Sequence, residues 1–108
     1  EKKWKEYTGH ANACYLNSNT AGLHLAVNIL KRRYGWQDGD EIISSPITFV
    51  STNHAIMYER MKPCFADVDE YLCIDPADVE KKINDKTRAI MFVGWIRSLR
   101  FAKSMACA

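Results

Sequence analysis

The chain has 108 residues, of which 47% are hydrophobic, and its formal net charge at pH 7 is +2. This length permits one domain with a sizeable core, and the composition excludes disordered and fibrous classes. No apolar run approaches the roughly 18 residues that a bilayer span needs, and the first residues lack the apolar segment of a signal peptide. We therefore expect a soluble, cytoplasmic protein with no membrane contact.

The positive charge is confined to one end of the chain. Residues 1–93 carry 12 Lys+Arg against all 13 acidic residues, whereas residues 94–108 carry three basic residues and no acid. A basic face spread over the domain would be the footprint of nucleic-acid binding. Because the excess belongs to the last segment alone, the sequence predicts no nucleic-acid partner.

The first half of the chain predicts two helices and two strands. Residues 1–8 read as the last turns of a helix that Gly9 closes. Apolar residues recur at i, i+3, i+4 and i+7 from Leu23 to Leu30, which predicts a helix over residues 20–33 that ends before Gly35. Short apolar runs predict strands over residues 13–16 and 41–45.

The second half predicts two more helices and two more strands. A helix is predicted over residues 50–59, and a strand over residues 64–68. Asp75 and Pro76 are typical of an N-cap and a first helical position, so a further helix is expected to run to about Ile83. The continuous apolar run over residues 88–93 is typical of a strand buried on both faces.

The predicted order is β–α–β–α–β–α–β after the opening helix, and its connections are short. Such an order predicts the α/β class, with a mainly parallel sheet flanked by helices. Ligands of these sheets bind beyond the carboxyl ends of the strands. The segments expected there are residues 17–22, 45–49, 67–70 and those that follow Val93.

The start of the second predicted helix is a candidate anion site. The first N–H groups of a helix lack intrahelical partners and its dipole favours a negative charge, so residues 17–22 could cradle a phosphate. Thr20 offers a hydroxyl, and Ala21 and Gly22 leave the backbone open. Alternatively, Ser18 or Asn19 simply N-caps the helix.

Two other segments are open to more than one interpretation. Phe49, after the second strand, could lie flat over a planar heterocycle held by the first loop, or it could be a core residue. Asp67 and Asp69 could bind a metal or a substrate hydroxyl, but turn formation and capping explain them as well, and we favour that interpretation.

Cysteine and histidine residues predict no further site. The four cysteines form no CxxC pair and have no histidine at ligand spacing, so no metal site is expected and the thiols are predicted to be buried and reduced. The three histidines have no Cys or Ser partner at recognisable spacing, so no nucleophile triad is predicted.

Taken in order, these segments resemble the DegT/StrS family of pyridoxal-phosphate (PLP) sugar aminotransferases of fold type I, over about residues 5–93. The segments that carry the resemblance are LNSNTAGLHLA (16–26), GDEII (39–43), PITFVST (46–52), KP (62–63), DVD (67–69), IDP (74–76) and TRAI (87–90).

The resemblance implies roles for particular positions. Thr20 and Ala21 match the family's phosphate-binding pair, and Phe49 matches the aromatic residue that stacks on the pyridine ring. Asn19 stands where the family usually has a small residue, and we include it among the cofactor-binding positions. Family members typically transfer an amino group from glutamate to a nucleotide-linked keto-deoxysugar, and they are usually homodimers.

The chain departs from the family pattern after Val93. Residues 1–93 are expected to be part of the PLP-binding large domain, and residues 94–108 an atypical tail with a truncated or frameshifted end. The lysine that forms a Schiff base with PLP lies in family segments that nothing here matches, so no catalytic residue is assigned and the chain is expected to be an inactive fragment. An alternative for the tail is a short basic amphipathic helix over residues 96–105.

Two alternatives to the aminotransferase hypothesis stay open at this point. One is a PLP-dependent sugar dehydratase of the same family, in which histidine replaces the catalytic lysine. The other is a non-catalytic α/β module that keeps the anion-binding helix terminus.

Overall fold

The structure, a computed structural model, describes residues 1–94. Within that range four helices and three strands form an α/β unit, in which strands and helices alternate from α2 onward, and this confirms the predicted fold class. In chain order they are α1 (Lys2–Thr8), α2 (Asn19–Tyr34), β1 (Glu41–Ser44), α3 (Val50–Tyr58), β2 (Lys62–Phe65), α4 (Pro76–Lys82) and β3 (Thr87–Met91).

The three strands form one parallel sheet in the order β2-β1-β3. Ile43 in the centre of β1 lies opposite Cys64 of β2 and Ile90 of β3. Parallel neighbours cannot be joined by a tight hairpin, so each connection must cross over the sheet. Here α3 makes the first crossover and α4 makes the second. The carboxyl ends of all three strands therefore lie at one edge.

The core is divided between the two faces of β1. Ile42 packs with Val27, Ile56 and Met61, on the side of α2 and α3. Its neighbour Ile43 packs with three other residues on the side of α4: Ala66, Ile74 and Val79. Successive side chains of a strand point to opposite faces, which is why adjacent isoleucines enter separate clusters. Burying each fully contributes about 1.5–3 kcal/mol.

The helix ends follow the predicted capping residues. Gly9 and Gly35 end α1 and α2 in the left-handed conformation, with φ of 73° and 66°. Glycine adopts this conformation without the strain that a Cβ atom would add. Asp75 begins α4, where its side chain accepts a hydrogen bond from the Ala77 N–H at 2.9 Å.

Buried carboxylates anchor the opposite, amino-terminal edge of the sheet. Asp40 Oδ2 accepts a hydrogen bond from Arg88 Nε at 2.7 Å, and Glu41 accepts one from Lys62 Nζ at 2.9 Å and one from Asn84 Nδ2 at 2.8 Å. The Arg88 hydrogen bond lowers the pKa of Asp40, and the Asn84 and Lys62 hydrogen bonds lower the pKa of Glu41. Lys62 of β2 and Asn84, in the loop before β3, are thus joined to β1 at this edge. Arg88 of β3 is joined to the residue that precedes β1.

Two predicted strands differ from the structure. Residues 13–16 are not a strand, because they pair with no strand within residues 1–94; Tyr15 is 85% exposed and its N–H donates to the Glu1 carboxylate at 3.0 Å. The run over residues 88–93 is not buried on both faces. As β3 it pairs only with β1 in the described part of the chain, and its residues alternate between half-buried and exposed.

The cysteine prediction is partly wrong as well. Cys73 is buried, as expected, but Cys64 is half-buried and Cys14 is exposed. Cys14 belongs to the segment predicted to be a strand, and without a sheet to join, its side chain has no core to enter. Cys14 and Cys64 are free thiols, and Cys107 lies outside the described residues.

Some expectations concern the end of the chain. The proposed tail over residues 94–108, including the alternative amphipathic helix over 96–105, lies outside the described residues except for Gly94. None of the helices that the structure describes has the length and apolar character to cross a membrane.

Candidate functional site

A cavity of about 530 Å³ lies at the carboxyl edge of the sheet. It is bounded by the beginning of α2, the loop and first turn that follow β1, and the segment that ends β3. Three of the four predicted cofactor positions, Asn19, Thr20 and Phe49, line it. The other lining residues are Leu23, Thr48, Ser51, Thr52, Met91, Phe92, Val93 and Gly94.

The α2 wall of the cavity is a capped helix N-terminus. Ser18 is the N-cap, and its Oγ accepts a hydrogen bond from the Ala21 N–H at 3.1 Å, while the Ser18 carbonyl accepts one from Gly22 N at 3.2 Å. The Gly22 bond is the first regular i→i−4 bond of α2, and the Ala21 bond satisfies one of the four N–H groups that a helix leaves unpaired at its start. The N–H groups of Asn19 and Thr20 remain for another acceptor, and the helix dipole favours an anion there.

Phe49 forms another wall of the cavity. It is the residue before α3, its backbone is extended, and its side chain is 74% exposed. A residue in the core of this unit would be buried, so Phe49 does not belong to the core that residues 1–94 form. An exposed aromatic ring beside a cavity offers a flat apolar surface to a planar ligand.

Polar side chains hold the loop between β1 and α3. Ser44 Oγ donates to Asn53 Oδ1 at 2.5 Å, and Asn53 Nδ2 donates to the Ser45 carbonyl at 3.3 Å. The hydroxyls of Thr48 and Thr52 are 3.1 Å apart. Nothing in the local sequence pattern singles out Asn53, because the hydrogen-bond partners of a helical asparagine on a neighbouring strand leave no mark in the spacing of residues.

Ala21 lies apart from the other three predicted positions. It faces a smaller cavity of about 220 Å³, which His24, Leu25, Asn28 and Glu59 also line. There Glu59 accepts a hydrogen bond from Asn28 at 2.9 Å and lies 2.7 Å from His24 Nε2. Burial alone would raise the pKa of Glu59, but the hydrogen bonds from Asn28 and His24 outweigh it and lower that pKa.

Asp67 and Asp69 serve the turn between β2 and α4. Asp69 Oδ1 accepts hydrogen bonds from the Tyr71 and Cys73 N–H groups at 2.8 and 3.0 Å. Asp67 Oδ1 accepts one from the next N–H in the chain, and its carbonyl accepts one from Asp75 N. The favoured turn interpretation is confirmed. Within residues 1–94 no group of three or more His, Cys, Asp or Glu side chains is arranged to hold a metal.

Residues 1–96 match the DegT/DnrJ/EryC1/StrS aminotransferase family. Among curated relatives, the UDP-4-amino-4-deoxy-L-arabinose–oxoglutarate aminotransferase of Shewanella sediminis is 38% identical over 92 residues, which is 84% of this chain and 23% of that protein. The chain thus spans about a quarter of the length of the curated relatives it matches.

Solved structures resemble the chain in fold as well. AtS13 from Actinomadura melliaura has a TM-score of 0.78 and 32% identity, and the match covers 98% of this chain and 29% of that protein. Spr1654 from Streptococcus pneumoniae, described as a sugar aminotransferase and solved in a PLP form, has a TM-score of 0.75 and 27% identity over 83% of this chain and 22% of its own. This chain belongs to the DegT/DnrJ/EryC1/StrS aminotransferase family.

Proposed function

We propose that this chain holds the phosphate and ring of PLP in an enzyme that transfers an amino group, from glutamate, to a nucleotide-linked keto-deoxysugar. The observation that carries the proposal is the shared cavity, in which a helix N-terminus and an exposed aromatic ring face the same space. The family membership and the relative named for oxoglutarate and a UDP-linked amino sugar support the substrate class.

The cavity lining fits PLP in chemical type. The free N–H groups of Asn19 and Thr20, with the Thr20 hydroxyl, suit the phosphate, because they combine unpaired donors with the positive end of a helix dipole. Phe49 offers its face to the pyridine ring. Ala21 faces the smaller cavity, and its N–H is bonded to Ser18 Oγ, so it offers no donor to this ligand. When bound, PLP supplies an electron sink, and these residues would bind and orient it.

Proton transfer during the reaction and covalent attachment of PLP require groups other than those that line the cavity. Among the described residues that line the cavity there is neither a lysine nor a carboxylate. We therefore propose that the 108 residues alone bind the cofactor without catalysing amino transfer, and that residues 1–93 act as part of a larger PLP domain within a homodimer. Amino transfer by the purified 108-residue chain would contradict this assignment.

Binding is tested with pyridoxine 5′-phosphate. It has the ring and phosphate of PLP but no aldehyde, so it cannot react with surface lysines. Equilibrium dialysis against the 108-residue chain is expected to give an affinity at least about tenfold higher than for pyridoxine, because charge-assisted hydrogen bonds contribute roughly 1.5–3 kcal/mol. Equal affinity for the two compounds, or no binding of either, would overturn the proposal.

The two alternatives make different predictions. A non-catalytic anion-binding module would bind inorganic phosphate as well as pyridoxine 5′-phosphate, because it needs no ring contact. The dehydratase differs from the aminotransferase at the catalytic lysine. In an intact aminotransferase that contains this segment, borohydride is expected to fix the cofactor covalently to the lysine, so that it stays with the denatured protein. A dehydratase with histidine in place of that lysine would release the reduced cofactor on denaturation.

A further inference from the structure

We propose that Asn53 is a positioning residue, whose side-chain amide fastens the β1–α3 loop to the end of β1 and so sets the place of Phe49 in the cavity. The inference rests on the proposed function, in which Phe49 stacks on the cofactor ring. It adds to that function a residue of α3 that acts through Phe49.

Asn53 joins α3 to two consecutive residues of the chain. Its Oδ1 accepts a hydrogen bond from Ser44 Oγ at 2.5 Å, and its Nδ2 donates to the Ser45 carbonyl at 3.3 Å. Because a backbone carbonyl can only accept, the amide must present its nitrogen to Ser45 and its oxygen to Ser44. Ser44 is fully buried at the end of the central strand, so one side of this clamp is fixed in the core.

The loop between these anchors is itself closed by hydrogen bonds. Ser45 Oγ accepts from the Ile47 N–H at 3.0 Å, the Thr48 and Thr52 hydroxyls are 3.1 Å apart, and Thr52 N donates to the Phe49 carbonyl at 3.0 Å. Thr52 is 4% exposed. The segment from Ser45 to Thr52 is therefore braced at several points, and Asn53 attaches it to the sheet.

Phe49 depends on this bracing more than a packed residue would. Its side chain is 74% exposed and makes no cap hydrogen bond, so packing does little to fix its position. The ring instead follows the backbone of the loop. Loss of the Asn53 clamp is expected to broaden the range of Phe49 positions and to weaken stacking before binding.

The first test compares Asn53→Asp with His54→Ala in the 108-residue chain. The aspartate keeps the shape of the side chain but cannot donate to the Ser45 carbonyl, whereas His54 is its exposed neighbour on α3 and lies outside the clamp. We expect Asn53→Asp to weaken binding of pyridoxine 5′-phosphate by about tenfold, as the loss of one buried hydrogen bond would. His54→Ala is expected to leave the affinity unchanged.

The second test needs no ligand. Chains carrying 4-fluorophenylalanine give a fluorine signal for Phe49, assigned by its disappearance in Phe49→Leu, and the indole N–H signal of Trp36 reports the fold because Trp36 packs against the core. In Asn53→Asp the Phe49 signal is expected to shift or broaden while the Trp36 signal stays in place. An unchanged Phe49 signal, or a changed signal with unaltered affinity, would overturn the inference.

Two controls keep the results interpretable. If Asn53→Asp loses the Trp36 signal, the Ser44→Ala variant is used in its place, because this change removes one of the two clamp bonds and alters the volume little. A smaller shift of the Phe49 signal is then expected, and an unchanged signal in Ser44→Ala would contradict the inference. If the unmodified chain binds no pyridoxine 5′-phosphate, the proposed function fails and with it the cofactor role of Asn53, whereas the fluorine spectra still decide whether Asn53 places Phe49.

Discussion

Thr20 in the first turn of α2 and Phe49 directly before α3 line one cavity, although they belong to different segments of the chain. The first lies where a helix offers unpaired N–H groups, and the second where a ring is left exposed. Because they meet at the carboxyl edge of a parallel sheet, the capped helix and the surface aromatic form the two halves of the proposed cofactor site.

Removal of the Thr20 hydroxyl should weaken phosphate binding. Thr20→Val keeps the shape of the side chain, so we expect pyridoxine 5′-phosphate to bind about tenfold more weakly, as for a lost hydrogen bond to a charged group. Thr8→Val is the matched control, because the Thr8 hydroxyl donates to the Trp4 carbonyl within α1, away from the cavity. Equal losses in the two variants, measured by dialysis, would argue against a role for Thr20.

Phe49→Leu should weaken ring binding with little effect on folding. Aromatic pairs contribute about 0.5–1.5 kcal/mol beyond area burial, so the affinity is expected to fall roughly three- to tenfold. The urea midpoint should hardly change, because the side chain is 74% exposed. Phe65→Leu, at the end of β2 and outside the cavity, is the control. Unaltered affinity in Phe49→Leu would contradict the stacking role.

Ile43→Ala should destabilise the fold far more than Ile90→Ala. Ile43 is fully buried in the central strand, and truncation of such a residue costs about 2–5 kcal/mol through lost burial and the cavity left behind. Its cross-strand neighbour Ile90 is 40% exposed, so its truncation should cost about 1 kcal/mol or less. Urea unfolding of the two variants gives both values, and similar losses would contradict the placement of β1 at the centre.

Acid should destabilise the amino-terminal edge of the sheet. Folding lowers the pKa values of Asp40 and Glu41, so their contribution to stability is present above the unfolded pKa values of about 4 and is lost as the pH falls through the folded pKa values. The free energy of unfolding should therefore fall from pH 7 towards pH 3. Glu41→Gln should reduce this dependence, whereas Glu6→Gln, an exposed change on α1, should not.

The sequence correctly predicted the features of the fold that depend on residues close together in the chain, such as the ends of helices. Gly9, Gly35 and Asp75 end or begin helices as expected, because a cap depends on residues within one turn. The strand predicted over residues 13–16 failed, since a strand needs a partner that a short apolar run cannot reveal. For the same reason the exposed alternation of β3 was not predicted.

Some residues of the candidate site were likewise predicted from the sequence, and others were not. The sequence predicted that Asn19, Thr20 and Phe49 lie near one another, and all three line the cavity. For Asn19 and Thr20, however, the prediction depended on a strand over residues 13–16 that the structure does not have. The clamp from Ser44 and Ser45 to Asn53, and the pairing of His24 with Glu59, depend on how α3 and α2 pack, which no spacing in the chain records.

The most direct test is a titration of the isotopically labelled 108-residue chain with pyridoxine 5′-phosphate, followed by backbone amide NMR. The amide signals of Asn19, Thr20 and Phe49 are expected to shift together along one binding curve, while those of Asp40 and Glu41 at the far edge of the sheet stay in place. Shifts confined to other surfaces, or saturation without any change at Asn19 and Thr20, would show that the cavity is not the cofactor site.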